Sequence, residues 1–152
     1  MYKHILIPTD GSDLSQQAIE HGIALAKVLG ARVTAVTVTE PFHASAFEPI
    51  IADSYKKHVA ALATNSLEYA KNAASISNVP CALVRLEHEQ PYQAIIEAAE
   101  ARGCDVIVMA SHGRKGISAV VLGSETVKVL THSPIPVVVI RAQKGAQYFV
   151  AS

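Results

Sequence analysis

Residues 106–130 read VIVMASHGRKGISAVVLGSETVKVL. Five apolar residues come first, then a loop rich in glycine, serine and basic residues, and then a stretch with helical spacing. This order is typical of one strand-to-helix unit of an α/β protein. Glycine and serine at such a junction let backbone N–H groups approach an anion closely, although the same residues also form ordinary turns.

The alternation of short apolar runs and helical stretches extends over the rest of the chain. Strands are predicted at 3–8, 32–38, 81–87, 105–109 and 136–141. Helices are predicted at about 12–29, 53–75 and 91–103, with a fourth after Gly123. Helical crossovers between apolar strands predict a single doubly wound, Rossmann-like domain, with a parallel sheet and helices on both faces.

Glycine and proline residues mark the ends of several predicted helices. Gly30 ends the first helix, Pro91 suits the first turn of the third helix, and Gly103 suits its C-cap. The stretch TEPFHASAFEP at 39–49 is predicted to be a loop. The second helix is predicted to bury one face, which carries Tyr55, Val59, Leu62, Tyr69, Ala70 and Ala73.

Ligands of open parallel sheets bind at the carboxyl ends of the strands, where the strand order reverses. The residues that leave the first, second and fourth strands read PTDGS, VTEP and ASHGRKG, and these three exits are the candidate site. The third strand leads into HEQP, which is less suggestive of a ligand.

Composition limits the possible partners. Thirteen basic residues balance thirteen acidic ones, so the formal net charge is zero. The chain therefore lacks the basic excess that attracts nucleic acid or anionic lipid, and we expect neither partner. Apolar runs of five residues are too short to cross a bilayer, and the N-terminus has no signal-peptide pattern. We expect a cytoplasmic protein.

Three motifs resemble the universal stress protein family: ILIPTDGS at 5–12, VIVMASHGRKG at 106–116 and LGSETVKVLTHSPIPVVVI at 122–140. The resemblance implies a family domain over residues 1–142, followed by a C-terminal tail at 143–152. It also implies a five-stranded sheet of order 3-2-1-4-5, a dimer, and ATP bound at the strand exits. The apolar PVVVI of the final strand would be an unpaired sheet edge, so we expect a homodimer through that strand.

The nucleotide-binding branch of the family carries the motif Gly-x2-Gly-x9-Gly-Ser/Thr. The matching positions here are Ala110, Gly113, Gly123 and Ser124, so the first glycine is replaced by alanine. If that position needs a positive φ, alanine costs about 1 kcal/mol; in an ordinary region it costs little unless the methyl group meets the ligand.

The resemblance also implies roles for individual residues. Asp10 is expected to bind the ribose or Mg²⁺, although it could instead cap the first helix. Val38 matches the position whose backbone contacts adenine. Gly113, Gly123 and Ser124 would present amides to the phosphates. The same site includes Pro8, Thr9, Met109, Ala110, Arg114 and Glu125. Arg114 could neutralise phosphate charge or simply be solvated.

Three functions are considered for this sequence. The preferred one is an ATP-binding regulatory protein of the stress response, with slow or absent hydrolysis. The second is a nucleotide-free dimer that acts through unidentified protein partners, and the third is a nucleotidyl-transfer enzyme. The chain has neither a Walker-type loop nor an evident nucleophile and base pair, which argues against the third. Its seven histidines show no metal-ligand spacing, and His112 alone lies in the candidate loop.

Overall fold

The structure is a computed structural model that describes residues 1–41, 49–113 and 121–142. The strands of the described residues are β1 (His4–Pro8), β2 (Arg32–Thr39), β3 (Cys81–Glu87), β4 (Val106–Ala110) and β5 (Val137–Ile140). The helices are α1 (Asp13–Leu29), α2 (Pro49–Ile76), α3 (Pro91–Ala101) and α4 (Ser124–His132). Strands and helices alternate along the chain, as the sequence predicts.

The five strands form one sheet of order β3-β2-β1-β4-β5, in which every neighbouring pair is parallel. Ile5 in the central strand is paired with Val33 on one side and with Val106 on the other. The predicted strand order is therefore confirmed. The order reverses at β1, where chain connections leave in opposite directions towards β2 and β4, and ligands of such sheets bind at this switch point.

Helices cover both faces of the sheet, because successive strand residues point to opposite sides. One core joins Ile5 and Ile7 of β1 to buried residues of α1 and α2. The other core joins Leu6, between them in sequence, to Ile95 of α3 and Val129 of α4. The near-continuous apolar strands of the sequence correspond to strands that are buried on both faces.

Most element bounds differ from prediction by a residue or two, which is ordinary for helix and strand ends. Ser12 is the N-cap of α1, and its side chain accepts a hydrogen bond from the N–H of Ser15. Ala110 is the last residue of β4 rather than the first residue of the following loop. The C-cap of α3 is Arg102; Gly103 follows it with φ +69°.

The prediction for α2 was wrong about its start and correct only in part about its buried face, of which Ala70 is buried and Tyr69 and Ala73 pack against the core. The helix begins at Pro49, four residues before the predicted start, because proline suits a first helical turn. Residues 42–48 of the predicted loop lie outside the described residues. The buried face carries small residues, which are Ala52, Ala63, Ser66, Ala70 and Ala74. Tyr55 is exposed, because small side chains bring this helix close to the sheet and its larger ones flank the contact.

Candidate functional site

A cavity of about 420 Å³ opens at the carboxyl ends of β1, β2 and β4, and we refer to it as the exit cavity. Its lining residues are Pro8, Thr9, Asp10, Ser15, Val36, Val38, Glu40, Pro91, Ile95, Met109, Ala110, His112, Gly113, Gly123, Ser124, Glu125 and Thr126. A cavity of this size at the switch point of a parallel sheet is suited to a small-molecule ligand.

The exit of β1 is held in place by hydrogen bonds. Thr9 is buried, its N–H donates to the carbonyl of Val36 at 2.8 Å, and its hydroxyl is hydrogen-bonded to that of Ser15 at 3.1 Å. The Oδ1 atom of Asp10 accepts a hydrogen bond from the N–H of Ser12 at 2.9 Å. Because Ser12 caps α1, the carboxylate of Asp10 is oriented by the turn and stays exposed at the cavity wall.

The exit of β4 meets that of β1 at Gly113. A Cβ atom built on Gly113 would fall on the carboxylate of Asp10. Close approach, and not a left-handed backbone, therefore favours glycine here, since its φ is not in the left-handed region. The absent side chain lets the backbone of the loop lie directly beside an acidic group at the cavity wall.

The N-terminus of α4 forms another wall of the cavity. Gly123 is its N-cap residue, and the Gly123 N–H donates to the carbonyl of Ser111 at 2.7 Å. A glycine cap has no side chain to accept from the first-turn amides of α4. Those amides and the positive end of the helix suit an anionic acceptor from outside the helix.

Two neighbouring side chains fix this end of α4 to the rest of the fold. The hydroxyl of Thr126 donates to the carbonyl of Ala110 at 2.9 Å, which ties the helix to β4. The Oε2 atom of Glu125 accepts from the N–H of Tyr92 in the first turn of α3 at 2.8 Å, and its Oε1 atom lies 3.5 Å from Nζ of Lys128. Glu125 thus joins the two helices that border the cavity.

Ala110, which replaces the first motif glycine, has ordinary strand geometry. Among non-glycine residues that the structure describes, only Asn78 has a positive φ. The Ala110 side chain packs with Leu14 and Ala18 of α1 in a small apolar cluster. The alanine is therefore accommodated without backbone strain, and its methyl group is directed into packing with α1.

The structure brings together all of the predicted site residues that it describes. Pro8, Thr9, Asp10, Val38, Met109, Ala110, Gly113, Gly123, Ser124 and Glu125 all line the exit cavity. Arg114 lies outside the described residues. Whether each lining residue contacts a ligand stays a prediction.

Sequence reasoning missed several lining residues, which are Ser15, Val36, Pro91, Ile95 and Thr126, and it included Glu40 only as part of the VTEP exit. Pro91 and Ile95 follow the third strand, whose exit was judged less suggestive. Pro91 itself, the last residue of HEQP and the first of α3, was the available signal, because it places the first turn of α3 at the same edge of the sheet. His112, the histidine that the sequence places in the candidate loop, also lines the cavity.

Two negative findings apply to the described residues alone. No group of three or more His, Cys, Asp or Glu side chains among them is arranged to hold a metal ion. None of the helices in residues 1–41, 49–113 and 121–142 combines the length and apolarity that a membrane crossing requires.

Sequence comparison gives a family for the chain. The sequence profile of the Universal stress protein family matches residues 1–141. A universal stress protein of Methanocaldococcus jannaschii is 34% identical over 149 residues, covering 95% of this chain and 85% of its own. A universal stress protein of Thermus aquaticus is 31% identical over 141 residues, covering 93% of this chain and 100% of its own.

Solved structures share the fold. A protein described as hypothetical superposes with a TM-score of 0.80 at 28% identity, covering 95% of this chain and 99% of the other. Family structures in complex with cAMP, dAMP and AMP share the fold at 22%, 18% and 14% identity. The profile match over nearly the whole chain and the curated relatives lead to one conclusion: the chain belongs to the universal stress protein family.

Proposed function

We propose that this universal stress protein is a regulatory protein that binds an adenine nucleotide, ATP, in the exit cavity. The observation that carries the proposal is the convergence of Asp10, Gly113 and the glycine-capped N-terminus of α4 on one cavity. This arrangement offers a carboxylate for a sugar or metal beside amides for phosphates. The cAMP, dAMP and AMP complexes of similarly folded family members support adenine nucleotides as the ligand class.

The base would occupy the apolar part of the cavity. Val36 and Val38 come from β2, Met109 comes from β4, and Ile95 comes from α3. Val36 and Met109 are buried, whereas Val38 is partly exposed at the strand end. Apolar walls with a strand end beside them suit a flat purine, whose edge can bond to backbone groups while its faces contact side chains.

The phosphates would lie between Gly113 and the start of α4. Gly123 and Ser124 bring backbone amides and the positive helix end to this region. The described lining residues include the carboxylates Asp10, Glu40 and Glu125. A polyphosphate next to these carboxylates requires compensating charge, and a divalent cation supplies it.

The residues fit Mg²⁺ delivered with the nucleotide. Asp10 would hold the ion together with phosphate oxygens, since Mg²⁺ is bound in such sites by one or two carboxylates and the substrate phosphates. When bound, the ion would neutralise phosphate charge.

Hydrolysis should be slow or absent. A general base needs a free acceptor atom that can reach the attacking water. In the cavity, Asp10 Oδ1 already accepts from Ser12 N–H, and Glu125 accepts from Tyr92 N–H and pairs with Lys128. Asp10 is also assigned to Mg²⁺, so neither of these carboxylates is left to act as a base, and the bound state, rather than turnover, is the proposed output.

Calorimetric titration with ATP and ADP, each with and without Mg²⁺, tests the proposal. We expect one ATP per chain with a Kd below about 1 mM, and tighter binding with Mg²⁺. Asp10→Asn should remove most of the Mg²⁺ effect, because the amide keeps the shape but loses the charge. Asp13→Asn is the matched control: Asp13 is an exposed acidic residue in the first turn of α1 and does not line the cavity.

Two outcomes would contradict the proposal in different ways. If neither nucleotide binds in the millimolar range or tighter, the nucleotide-free reading is correct and the family role depends on protein partners. Turnover above about 1 s⁻¹ would instead place the chain among ordinary enzymes.

A further inference from the structure

A second groove lies at the opposite end of the sheet from the exit cavity. It has a volume of about 390 Å³, and we refer to it as the basal groove. Its lining residues are His4, Arg32, Val33, Thr34, Pro80, Cys81, Ala82 and Arg102. Most of them belong to the amino ends of β1, β2 and β3, and Arg102 follows α3. Nothing in the proposed nucleotide function uses this groove.

The rim of the basal groove is positively charged. Arg32 and Arg102 are both exposed and come from different elements. The described ion pairs, Lys57–Asp53 and Lys128–Glu125, involve neither of them. The nearby carboxylate of Asp105 accepts hydrogen bonds from the N–H groups of Lys3 and His4, at 2.9 and 3.1 Å, so it is held by the backbone.

The floor of the basal groove contains a buried histidine. His4 is only 6% exposed, and its Nε2 atom is hydrogen-bonded to the hydroxyl of Thr34 at 2.7 Å. Its Nδ1 atom is buried and makes no hydrogen bond of good geometry within the described residues, although the carbonyl of Arg102 lies near the ring. A buried polar atom without a partner is uncommon in a folded protein and costs free energy.

The two arginines that line the groove also act electrostatically on His4. Burial, followed by the positive charge of Arg32, lowers the pKa of His4, and Arg102 lowers it further. The carbonyl of Arg102 and the carboxylate of Asp105 favour the protonated ring, but they do not outweigh these effects. Two cations therefore act on one buried imidazole.

Helix capping explains part of this arrangement. Arg102 is the C-cap residue of α3, and Arg32 lies two residues after Gly30, the C-cap of α1. Cations are favoured near helix C-termini, where carbonyl groups point outwards. That effect accounts for each arginine separately. It does not account for their convergence on one groove that is also lined by the buried His4.

We propose that the basal groove is a second ligand site, which takes a small anion bearing a phosphate dianion. Guanidinium groups bind phosphate through paired, charge-assisted hydrogen bonds, and two of them line this groove. Pro80, Ala82 and Val33 add apolar surface, so the groove can accept inorganic phosphate or the phosphate of a small phosphomonoester. The proposal does not depend on nucleotide binding in the exit cavity.

Histidine NMR on the full chain tests this proposal. Inorganic phosphate and glycerol phosphate are titrated separately at constant ionic strength against chloride, and the His4 ring signals are assigned by their loss in His4→Gln. We expect saturable shifts of His4, with affinity reduced about tenfold or more in Arg32→Gln/Arg102→Gln. Arg85→Gln is the matched control, because Arg85 is an exposed arginine of β3 that does not line the groove.

The two titrations also distinguish the source of the phosphate. Tighter binding of glycerol phosphate identifies a phosphomonoester as the ligand, and equal or weaker binding identifies inorganic phosphate. A His4 signal that does not respond, or that responds equally in the double variant, would overturn the proposal. Gly123→Val, expected to remove nucleotide binding, should leave the His4 response unchanged, so the two proposals can fail separately.

Discussion

The carboxylate of Asp10 occupies the place that a side chain on Gly113 would take. Asp10 follows β1 and Gly113 follows β4, so the contact joins the two strand exits at the point where the strand order reverses. The Gly113 position therefore controls where the carboxylate can lie.

Replacing Gly113 by alanine should displace Asp10 without unfolding the protein. The displaced group is the end of a side chain at the surface, so stability should change little, whereas ATP affinity should fall about tenfold as the carboxylate moves. Calorimetry in a double-mutant cycle with Asp10→Ala is the measurement. Once the carboxylate is absent, Gly113→Ala should cost almost nothing further, and fully additive losses would show that the contact is irrelevant to binding.

Gly123→Val should abolish nucleotide binding. A Cβ atom at Gly123 would lie 3.0 Å from the Cα atom of His112 and 3.4 Å from the carbonyl oxygen of Ser111, so a larger side chain must push the start of α4 outwards. The φ of Gly123 is −63°, so close packing and not backbone strain is the cause. Gly123→Ala should have an intermediate effect. Circular dichroism should report a retained fold, and ATP binding as tight as in the parent would refute the assignment.

Val138→Lys should shift a homodimer towards monomer. Val138 lies in β5, which forms one edge of the sheet, and is 38% exposed. A lysine on an edge strand opposes pairing with a second copy. Leu83→Lys is a matched control, since Leu83 is 37% exposed on β3 at the other edge. Sedimentation at micromolar concentration should show dimer for the parent and for the control. A parent that is monomeric would rule out this dimer.

Glu20→Gln should lower the pKa of Tyr69. The Tyr69 hydroxyl donates to Glu20 Oε1 across α1 and α2, and this bond, with burial, raises the pKa of Tyr69 to about 12. The folded protein therefore keeps the phenol protonated above pH 10, where the unfolded chain releases the proton, and stability falls as pH rises from 10 towards 12. Phenolate absorbance should titrate nearer pH 10 in the variant. Glu68→Gln, at the neighbouring exposed position, should leave the titration unchanged.

The strand exits were predictable because their signals are local. PTDGS after β1 and the glycines after β4 stand where a parallel sheet gathers its ligand-binding residues, so Asp10, Gly113 and Ser124 follow from short motifs and topology. The contribution of α3 was not local. Glu125 accepts from the N–H of Tyr92, 33 residues earlier, and that bond depends on how two helices pack.

The face of α2 was predicted only in part, for a different physical reason. Helical periodicity marks large apolar residues, such as Tyr55, as the buried ones. In this helix, small residues such as Ala70 and Ala74 make the closest approach to the sheet, and they are almost completely buried. A sequence pattern that weighs apolar size therefore adds exposed residues such as Tyr55 to the predicted face when a helix packs through alanines.

Restoring the motif glycine at position 110 should not improve nucleotide binding. Ala110 has ordinary strand geometry, so an alanine causes no backbone strain at this position. Its methyl group packs with Leu14 and Ala18. Ala110→Gly should therefore destabilise the fold by about 1 kcal/mol, through greater backbone freedom and lost burial, and should change ATP affinity less than about twofold. Chemical denaturation and calorimetry measure the two effects. Ala35→Gly, in the fully buried part of β2 away from the cavity lining, should lose similar stability as a control. An affinity gain of about tenfold in Ala110→Gly, which equals about 1.4 kcal/mol of binding free energy, would contradict this prediction. A gain of that size would mean that the methyl group of Ala110 obstructs the ligand.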